Sequence, residues 1–542
     1  MHLAHPFILS LLPLLPFTTA QTSLYKPCPL LGPYFPAPRI DPNSPALKST
    51  FNAFTSYIDS YLAAGTGDFG PITPNTTSFS LSLFAGGNLV RNGNGSDPLF
   101  YEYHHGAGVE KPDRGSVYAA GDLTQILTVL ASLVELGVEG WERSIVEFLP
   151  ELEGLSTGGP LRAVQWRNVT LGALAGHMAG IVRHSDACRI DGRCQKDIFL
   201  KKLASKPPVY LPDTTPIYSR AAFQLLAFAL EAKCGQPFAQ ILQDRILAKL
   251  NLSSTSLLKN TSAPPFGHGL SNSSTLGEPA SLSLLTSTAD LATFGHSFLT
   301  SSLLPQSTTR RWLKPFTSTS NIANSVGRPW EIYHYRDNAT GTIIDVYTKT
   351  GTVGRYSNYF GLAPDYGVGF SILALNSEGE APDLNAYADM ALFALLQLQS
   401  LAEKEAQATY PGTYTSAGNA SSIVLNITDS GSDPGLAVTH LVVNGTDWLA
   451  TIAEQSGILD PANLDFRLYP TNLVEGGKRV WQGVIQDKSA LADFGTPTCI
   501  SWQTVGELER GGLALDAFVI EVDDSGEART VVSDALGVRF QR

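Results

Sequence analysis

A serine three residues ahead of a lysine is the simplest local arrangement in this sequence that could support covalent chemistry. On a helix the two side chains sit one turn apart, so the amine can take the hydroxyl proton while the oxygen attacks a carbonyl. Ser23-Leu-Tyr-Lys26 and Ser256-Leu-Leu-Lys259 both fit. The first falls at the expected mature N-terminus and the second in a Ser/Asn-rich loop beside glycosylation sequons. Neither has the strand-to-helix context that makes such a pair reactive, and a serine-rich chain produces these matches by chance. No Gly-x-Ser-x-Gly elbow occurs, and no Cys/His spacing resembles a zinc site, so neither a metal nor a cofactor is expected. His177 and His184 read as loop histidines with structural roles.

A different polar pair, Asp122-Leu-Thr-Gln125, opens the most strongly patterned segment of the chain. Leu123, Ile126, Leu127, Leu130 and Val134 recur at helical spacing up to Gly137, which predicts a helix with a buried face. Asp122 and Gln125 fit a capping box, the carboxylate accepting from an early backbone N–H and the amide reaching back to the cap.

Around this helix the periodicities predict an α+β order. A Pro-rich arm, Pro27 to Pro38, precedes a helical pattern over Leu47–Ala64. Phe79–Leu83 and Leu99–Tyr103 alternate at period two across a Gly/Asn-rich turn and read as an antiparallel hairpin. Helical patterns follow at Leu171–Met178, Ala221–Ala232 and Ser287–Phe298, then strands at Ile343–Lys349, Tyr359–Ala363 and Val368–Leu375, then a long helix from Leu384 to Ala406. This order suggests one antiparallel sheet with helices on both sides. From Tyr410 onward, short alternating segments between Gly, Asn and Asp turns predict a separate all-β domain, a barrel or a sandwich. The expected organisation is therefore 1–20, 21–69, 70–405 and 406–542.

Residues 1–20 carry the apolar run Phe7 to Phe17 and end in Thr-Thr-Ala20, which reads as a cleaved secretory signal. No later apolar stretch has the length of a membrane span, so the mature protein is expected to be secreted or lumenal. Ten Asn-x-Ser/Thr sequons suit that compartment: Asn75, Asn94, Asn168, Asn251, Asn260, Asn272, Asn338, Asn419, Asn426 and Asn444. Of five cysteines, Cys188 and Cys194 bracket a short polar loop and are expected to pair; Cys28, Cys234 and Cys499 leave one further bond open among them. A net charge of −12 without a Lys/Arg run leaves nothing to hold a phosphate backbone, so nucleic acid is not an expected partner.

Several stretches, taken in order, resemble the serine β-lactamase and penicillin-binding-protein family, in particular its class C branch and secreted fungal relatives. They are Tyr101-Glu-Tyr-His-His105, Tyr118-Ala-Ala-Gly-Asp-Leu-Thr-Gln125, Glu147-Phe-Leu-Pro-Glu-Leu152 and Val169 to Gly180. Ile217-Tyr-Ser-Arg-Ala-Ala222, Gly327-Arg-Pro-Trp-Glu331, Tyr347-Thr-Lys-Thr-Gly-Thr352 and Pro364-Asp365 complete the series. The resemblance implies a β-lactamase/transpeptidase-like fold over residues 70–405 with an appended C-terminal β domain.

It also implies an active site built from three motifs. Where the family has Ser-x-x-Lys at a helix start, this chain has Asp122 and Gln125, so hydroxyl and amine are both missing. Where the family has Tyr-x-Asn, Tyr218-Ser-Arg220 keeps the phenol and replaces the amide by a guanidinium. Lys-Thr-Gly is intact as Lys349-Thr350-Gly351, whose lysine faces a substrate carboxylate in the family and whose glycine lets a ligand approach the strand. Asp122, Tyr218 and Lys349 thus occupy the catalytic positions, and Gln125, Arg220, Thr350 and Gly351 the ligand-binding ones. Asp122, Arg220 and Lys349 together leave one positive charge, which favours an anion. Alternatively, Asp122 and Lys349 pair across the old substrate position and close it.

Losing the nucleophile of a covalent hydrolase costs about four to six orders of magnitude in turnover. The leading expectation is a secreted, glycosylated pseudoenzyme that binds a small molecule, an anion in particular, or a protein partner. A second is changed acid/base chemistry by Asp122 and Tyr218 on a small molecule of a secondary-metabolite pathway, which a raised Asp122 pKa would favour. A third is residual ester or amide hydrolysis by another route.

Overall fold

The computed structural model describes residues 25–90, 97–108, 110–155, 158–258, 265–270, 276–336, 343–428, 433–490 and 499–542. The expected signal sequence, Ser23, Lys259 and the sequon residues Asn94, Asn260, Asn272 and Asn338 lie outside the described residues. The described residues form two units, one of Leu31–Thr409 and one joining residues 25–30 with Tyr410–Arg542.

The larger unit begins with helix α1 (Pro45–Ala64), started by the Ser44 hydroxyl accepting from Leu47 N–H and stopped by Gly65 in the left-handed region. Leu47, Phe51, Phe54, Ile58 and Tyr61 form its buried stripe. Strands β1 (Thr77–Ala85) and β2 (Leu99–His105) are the expected hairpin, with Leu81 opposite Tyr103. A short strand β3 (Tyr118–Gly121) then turns into helix α2 (Thr124–Leu136), and helix α3 (Ala221–Cys234) lies against it. Strands β4 (Ser256–Leu257) and β5 (Leu284–Thr286) join β3 in a three-stranded sheet of order β3-β5-β4, and helix α4 (Thr288–Leu299) follows.

Strands β6 (Thr317–Ser318), β7 (Asn324–Val326), β8 (Glu331–Arg336), β9 (Ile343–Val353), β10 (Tyr356–Ala363) and β11 (Val368–Asn376) complete the main sheet before helix α5 (Asn385–Thr409). Its order is β2-β1-β11-β10-β9-β8-β7-β6, and these pairings are antiparallel. Each central strand serves two cores. Phe370 and Ile372 of β11 pack with residues of α1 and α5, whereas Leu373 and Leu375 join the core that holds α2, α3 and α4. Burial on both faces explains why β11 reads as a nearly continuous apolar run.

One expectation fails here: Ser256 is not in an irregular loop but in β4, opposite Leu285. The other member of that pair, Lys259, lies outside the described residues.

In the smaller unit, strands β12 (Gly412–Thr415), β13 (Ser422–Asn426), β14 (Leu436–Val443), β15 (Leu464–Glu475), β16 (Lys478–Asp487), β17 (Ala517–Val522), β18 (Ala528–Ser533) and β19 (Val538–Gln541) pair in the order β13-β12-β19-β18-β17-β16-β15-β14. Pairing of β14 back onto β13 closes an eight-stranded barrel, which removes the open edges a sandwich would keep. Cys28 is bonded to Cys499 within this unit and Cys188 to Cys194 in the larger one, leaving Cys234 as a thiol. Among the described residues, no helix is long and apolar enough to cross a membrane.

Candidate functional site

The corner between β3 and α2 lies flush against β9, and two glycines make that approach possible. Gly121 has a φ of +56°, and a Cβ there would come within 2.9 Å of the Thr352 nitrogen. A Cβ on Gly351 would lie 2.2 Å from the Ala120 carbonyl oxygen and 3.0 Å from the Asp122 nitrogen. The start of the central helix therefore faces the Lys-Thr-Gly strand, as the resemblance implies. Asn358 reinforces the contact, its Nδ2 donating to the Ala119 carbonyl at 2.9 Å.

Asp122 does not cap the helix. Leu123 is the N-cap, with helical φ and ψ of −61° and −22°, and no side chain accepts from the first turn. Arg220, just ahead of α3, takes the carboxylate instead: Nε donates to Oδ1 at 2.7 Å and a terminal nitrogen to Oδ2 at 2.6 Å. Gln125 Nε2 also donates to Oδ1 at 3.0 Å, and the Ser281 hydroxyl donates to it at 3.1 Å. Asp122 is buried, and burial alone would push its carboxyl up. Arg220 and, more weakly, Lys349 outweigh that and hold it below its ordinary 3.8, so it stays ionised.

Gln125 links this ion pair to the phenol, since its Nε2 also lies 2.9 Å from the Tyr218 hydroxyl and 2.8 Å from Ser281 Oγ. Its Oε1 is buried with no hydrogen-bond partner. His177 stacks on the Tyr218 ring at 4.6 Å, and the Arg183 guanidinium lies 4.5 Å from the ring centroid. Burial, followed by the nearby Asp122 charge, lifts the Tyr218 hydroxyl well above its usual value, so it is a neutral donor and acceptor. Burial and the charge of Lys349 push His177 down to about 3. Its Nδ1 accepts from the Ser219 N–H at 3.1 Å, consistent with a neutral ring that positions Tyr218.

Lys349 is buried, and its ammonium lies 5.6 Å from the Tyr218 ring centroid. It does not pair with Asp122. Its partner is Glu331 at the start of β8, to whose Oε1 the ammonium donates, with a further bond to the Thr350 carbonyl at 3.0 Å. Glu331 Oε2 accepts from both the Thr350 N–H and the Thr350 hydroxyl, each at 2.9 Å. One internal carboxylate thus satisfies the ammonium, hydroxyl and backbone N–H of the Lys-Thr segment. The reason is register: Glu331, the first residue of β8, lies opposite Thr348, and beyond that pair β9 has no β8 partner, so its side chain reaches along the unpaired edge of β9.

Glu331 changes the charge count as well. Arg220 and Lys349 are matched by Asp122 and Glu331, so this four-residue set is neutral rather than singly positive. Asp122, Gln125, Tyr218 and Arg220 form one connected lattice; Lys349, Thr350 and Glu331 form a second, and Gly351 joins the two by contact. Glu331, Ser281 and the positioning role of His177 are absent from the sequence expectations above. Glu331 alone left a trace, as the last residue of the Gly-Arg-Pro-Trp-Glu stretch. Among the described residues, no cluster of three or more His, Cys, Asp or Glu could hold a metal ion.

Comparison with known proteins gives the same picture of the two units. The Beta-lactamase family model matches residues 102–395, and the model described as Beta-lactamase-like-like, C-terminal domain, matches residues 402–542. A Beta-lactamase-like protein of Arthroderma benhamiae is 26% identical over 94% of this chain and 95% of its own length. A protein of Cochliobolus lunatus named Probable hydrolase clz13 is 23% identical over 76% of each chain. Among solved structures, the octameric penicillin-binding protein homologue from Pyrococcus abyssi aligns with a TM-score of 0.49 at 15% identity, covering 91% of this chain and 100% of that one.

Proposed function

Since this chain belongs to the β-lactamase family, we propose that it is a member in which acyl transfer at the helix start has given way to ligand binding. The observation that carries this reading is the two-pronged Arg220 contact on Asp122. An ionised carboxylate now stands where the resemblance puts a nucleophilic serine, and it accepts four hydrogen bonds. Using it as a nucleophile would require breaking a buried ion pair and would yield an anhydride, which needs an electrophile better than an amide.

The acid/base alternative draws no support from the same geometry. A general acid or base works best with a pKa near the working pH, whereas Asp122 is held low and Tyr218 high.

The ligand class follows from Glu331. Its carboxylate takes the Lys349 ammonium, which by resemblance would face a substrate carboxylate, together with the Thr350 N–H and hydroxyl, and its side chain is 37% exposed while that of Lys349 is 1% exposed. A small carboxylate binds here by displacing Glu331, which swings out to water while Lys349 stays behind. The secretory setting is part of the proposal. Six described sequon asparagines, Asn75, Asn168, Asn251, Asn419, Asn426 and Asn444, are exposed, and two disulfides suit an oxidising compartment.

Calorimetric titration of the full chain with small mono- and dicarboxylates, alongside intact-mass analysis after incubation with a β-lactam, tests the reading. Saturable carboxylate binding without an adduct in residues 118–130 is the expected result. A β-lactam adduct mapped to that segment would overturn it.

A further inference from the structure

Elsewhere on the main sheet, three side chains from adjacent strands form a line that the site around Asp122 does not use. His334 of β8 lies directly opposite Asp345 of β9, and Ser325 of β7 lies opposite Ile332, two residues from His334 and on the same face. Ser325 Oγ is 2.7 Å from His334 Nε2, and His334 Nδ1 is 2.7 Å from Asp345 Oδ1. A carboxylate accepts from Nδ1–H, which leaves the lone pair on Nε2 and makes the serine hydroxyl the donor. That is the arrangement by which a histidine takes a serine proton, with the acid fixing its tautomer, and it is defined by geometry rather than by chain order. Asp345 is four residues from Lys349 along β9, about 13 Å away, so the row is distinct from the Asp122 lattice.

The row also reaches solvent at His334. The His334 side chain is 23% exposed, and Ser325, although largely buried, keeps 8% of its surface. We propose that Ser325, His334 and Asp345 are a second nucleophilic site of this protein, one that accepts the acyl group of small activated esters. In the first step Ser325 Oγ bonds to the carbonyl carbon and its proton passes to His334 Nε2. The bond to the leaving oxygen breaks, and that oxygen departs as the alcohol, carrying the proton from His334. Water then adds to the acyl-serine carbonyl, giving one proton to His334. The bond to Ser325 Oγ breaks, the carboxylic acid leaves, and the proton returns to the serine.

The sheet also limits what this site can do. Strand β7 is paired on both sides, to β8 and to β6, so its backbone N–H groups are committed to the ladder and supply no ready oxyanion hole. Losing one such donor costs a hydrolase about 10²- to 10³-fold. Turnover is therefore confined to esters with good leaving groups such as p-nitrophenol, and unactivated amides are inert.

The test is labelling of the full chain by a fluorophosphonate, which transfers its phosphonyl group to a nucleophilic serine with loss of fluoride, followed by peptide mapping. A single adduct on Ser325 is expected, together with release of p-nitrophenol from its acetate ester that Ser325→Ala abolishes. His334→Gln slows labelling by about 10² or more, the span typical of a lost general base, and the isosteric Asp345→Asn slows it at least tenfold. Circular dichroism melts report whether each variant is folded. No adduct on Ser325 of the native chain, or unchanged labelling in folded His334→Gln, overturns the proposal and leaves a structural hydrogen-bond row.

Discussion

Replacing Arg220 with methionine puts the lattice at the helix start under the greatest load. The guanidinium supplies the two shortest contacts to Asp122, and Asp122 itself is only 4% exposed, so the variant leaves a carboxylate buried with an amide and a hydroxyl for company. Breaking a buried pair by removing one partner costs about 3–5 kcal/mol. In a unit the size of Leu31–Thr409 this corresponds to a fall in Tm of roughly 4–8 °C, since the shift per kcal/mol shrinks with domain size. The pH dependence supplies the sharper check. In the native protein Asp122 lies below its ordinary 3.8, so its contribution to stability is present above that value and is lost only as pH falls through the depressed pKa. In the variant burial dominates and the carboxyl is pushed up, so protonation relieves the penalty as pH is lowered. Thermal melts of both proteins from pH 7 to pH 4 should show the gap closing, and adding Asp122→Asn to the variant should recover at least half of it at pH 7. A loss below about 1 kcal/mol, or a gap that does not change with pH, would refute the ion-pair account.

Three further perturbations test neighbouring parts of the structure. Glu331→Gln removes the charge that competes for Lys349 and Thr350, and affinity for small carboxylates measured by calorimetry should rise at least tenfold; unchanged affinity would mean that ligands do not compete with Glu331. Gly351→Ala places a methyl 2.2 Å from the Ala120 carbonyl and should destabilise the larger unit by about 2 kcal/mol or more in denaturant melts, whereas a neutral result would show that the β9 contact is loose. Burial and the neighbouring Asp345 charge push the Asp365 carboxyl up to about 6 from 3.8, so its penalty grows as pH rises through that range. Asp365→Asn should therefore stabilise by about 1–2 kcal/mol at pH 7.5 and give no gain at pH 4, and a gain of equal size at both would exclude this titration.

Much of the fold was legible because its signals are local and periodic. The hairpin of β1 and β2, the strands β9 to β11, the long helix α5 and the change to short strands after Tyr410 all appear in hydrophobic spacing alone. The Asp122 capping box was a misreading with a physical cause. The local pattern is correct, but Arg220, 98 positions further along, competes for the same carboxylate and offers two charged donors against one neutral backbone N–H. Lys349 and Glu331 are 18 residues apart, and the register of β8 on β9 that joins them is set by which face each strand buries. Ser281 gives no signal at all, since it is one serine among many until the chain brings it to Asp122. The row of Ser325, His334 and Asp345 is hidden for the same reason, as it exists only across three paired strands.

The most direct measurement installs the family's Ser-x-x-Lys pair at the helix start. In the double variant Asp122→Ser with Gln125→Lys, the helix start regains a hydroxyl and an amine one turn apart, still facing Lys349-Thr350-Gly351. Intact-mass analysis with peptide mapping after incubation with a β-lactam should then give an acyl adduct on residue 122, with none in that segment of the native chain. An adduct there in the native protein would contradict the account. So would a folded double variant that stays unmodified even when Arg220→Asn is added.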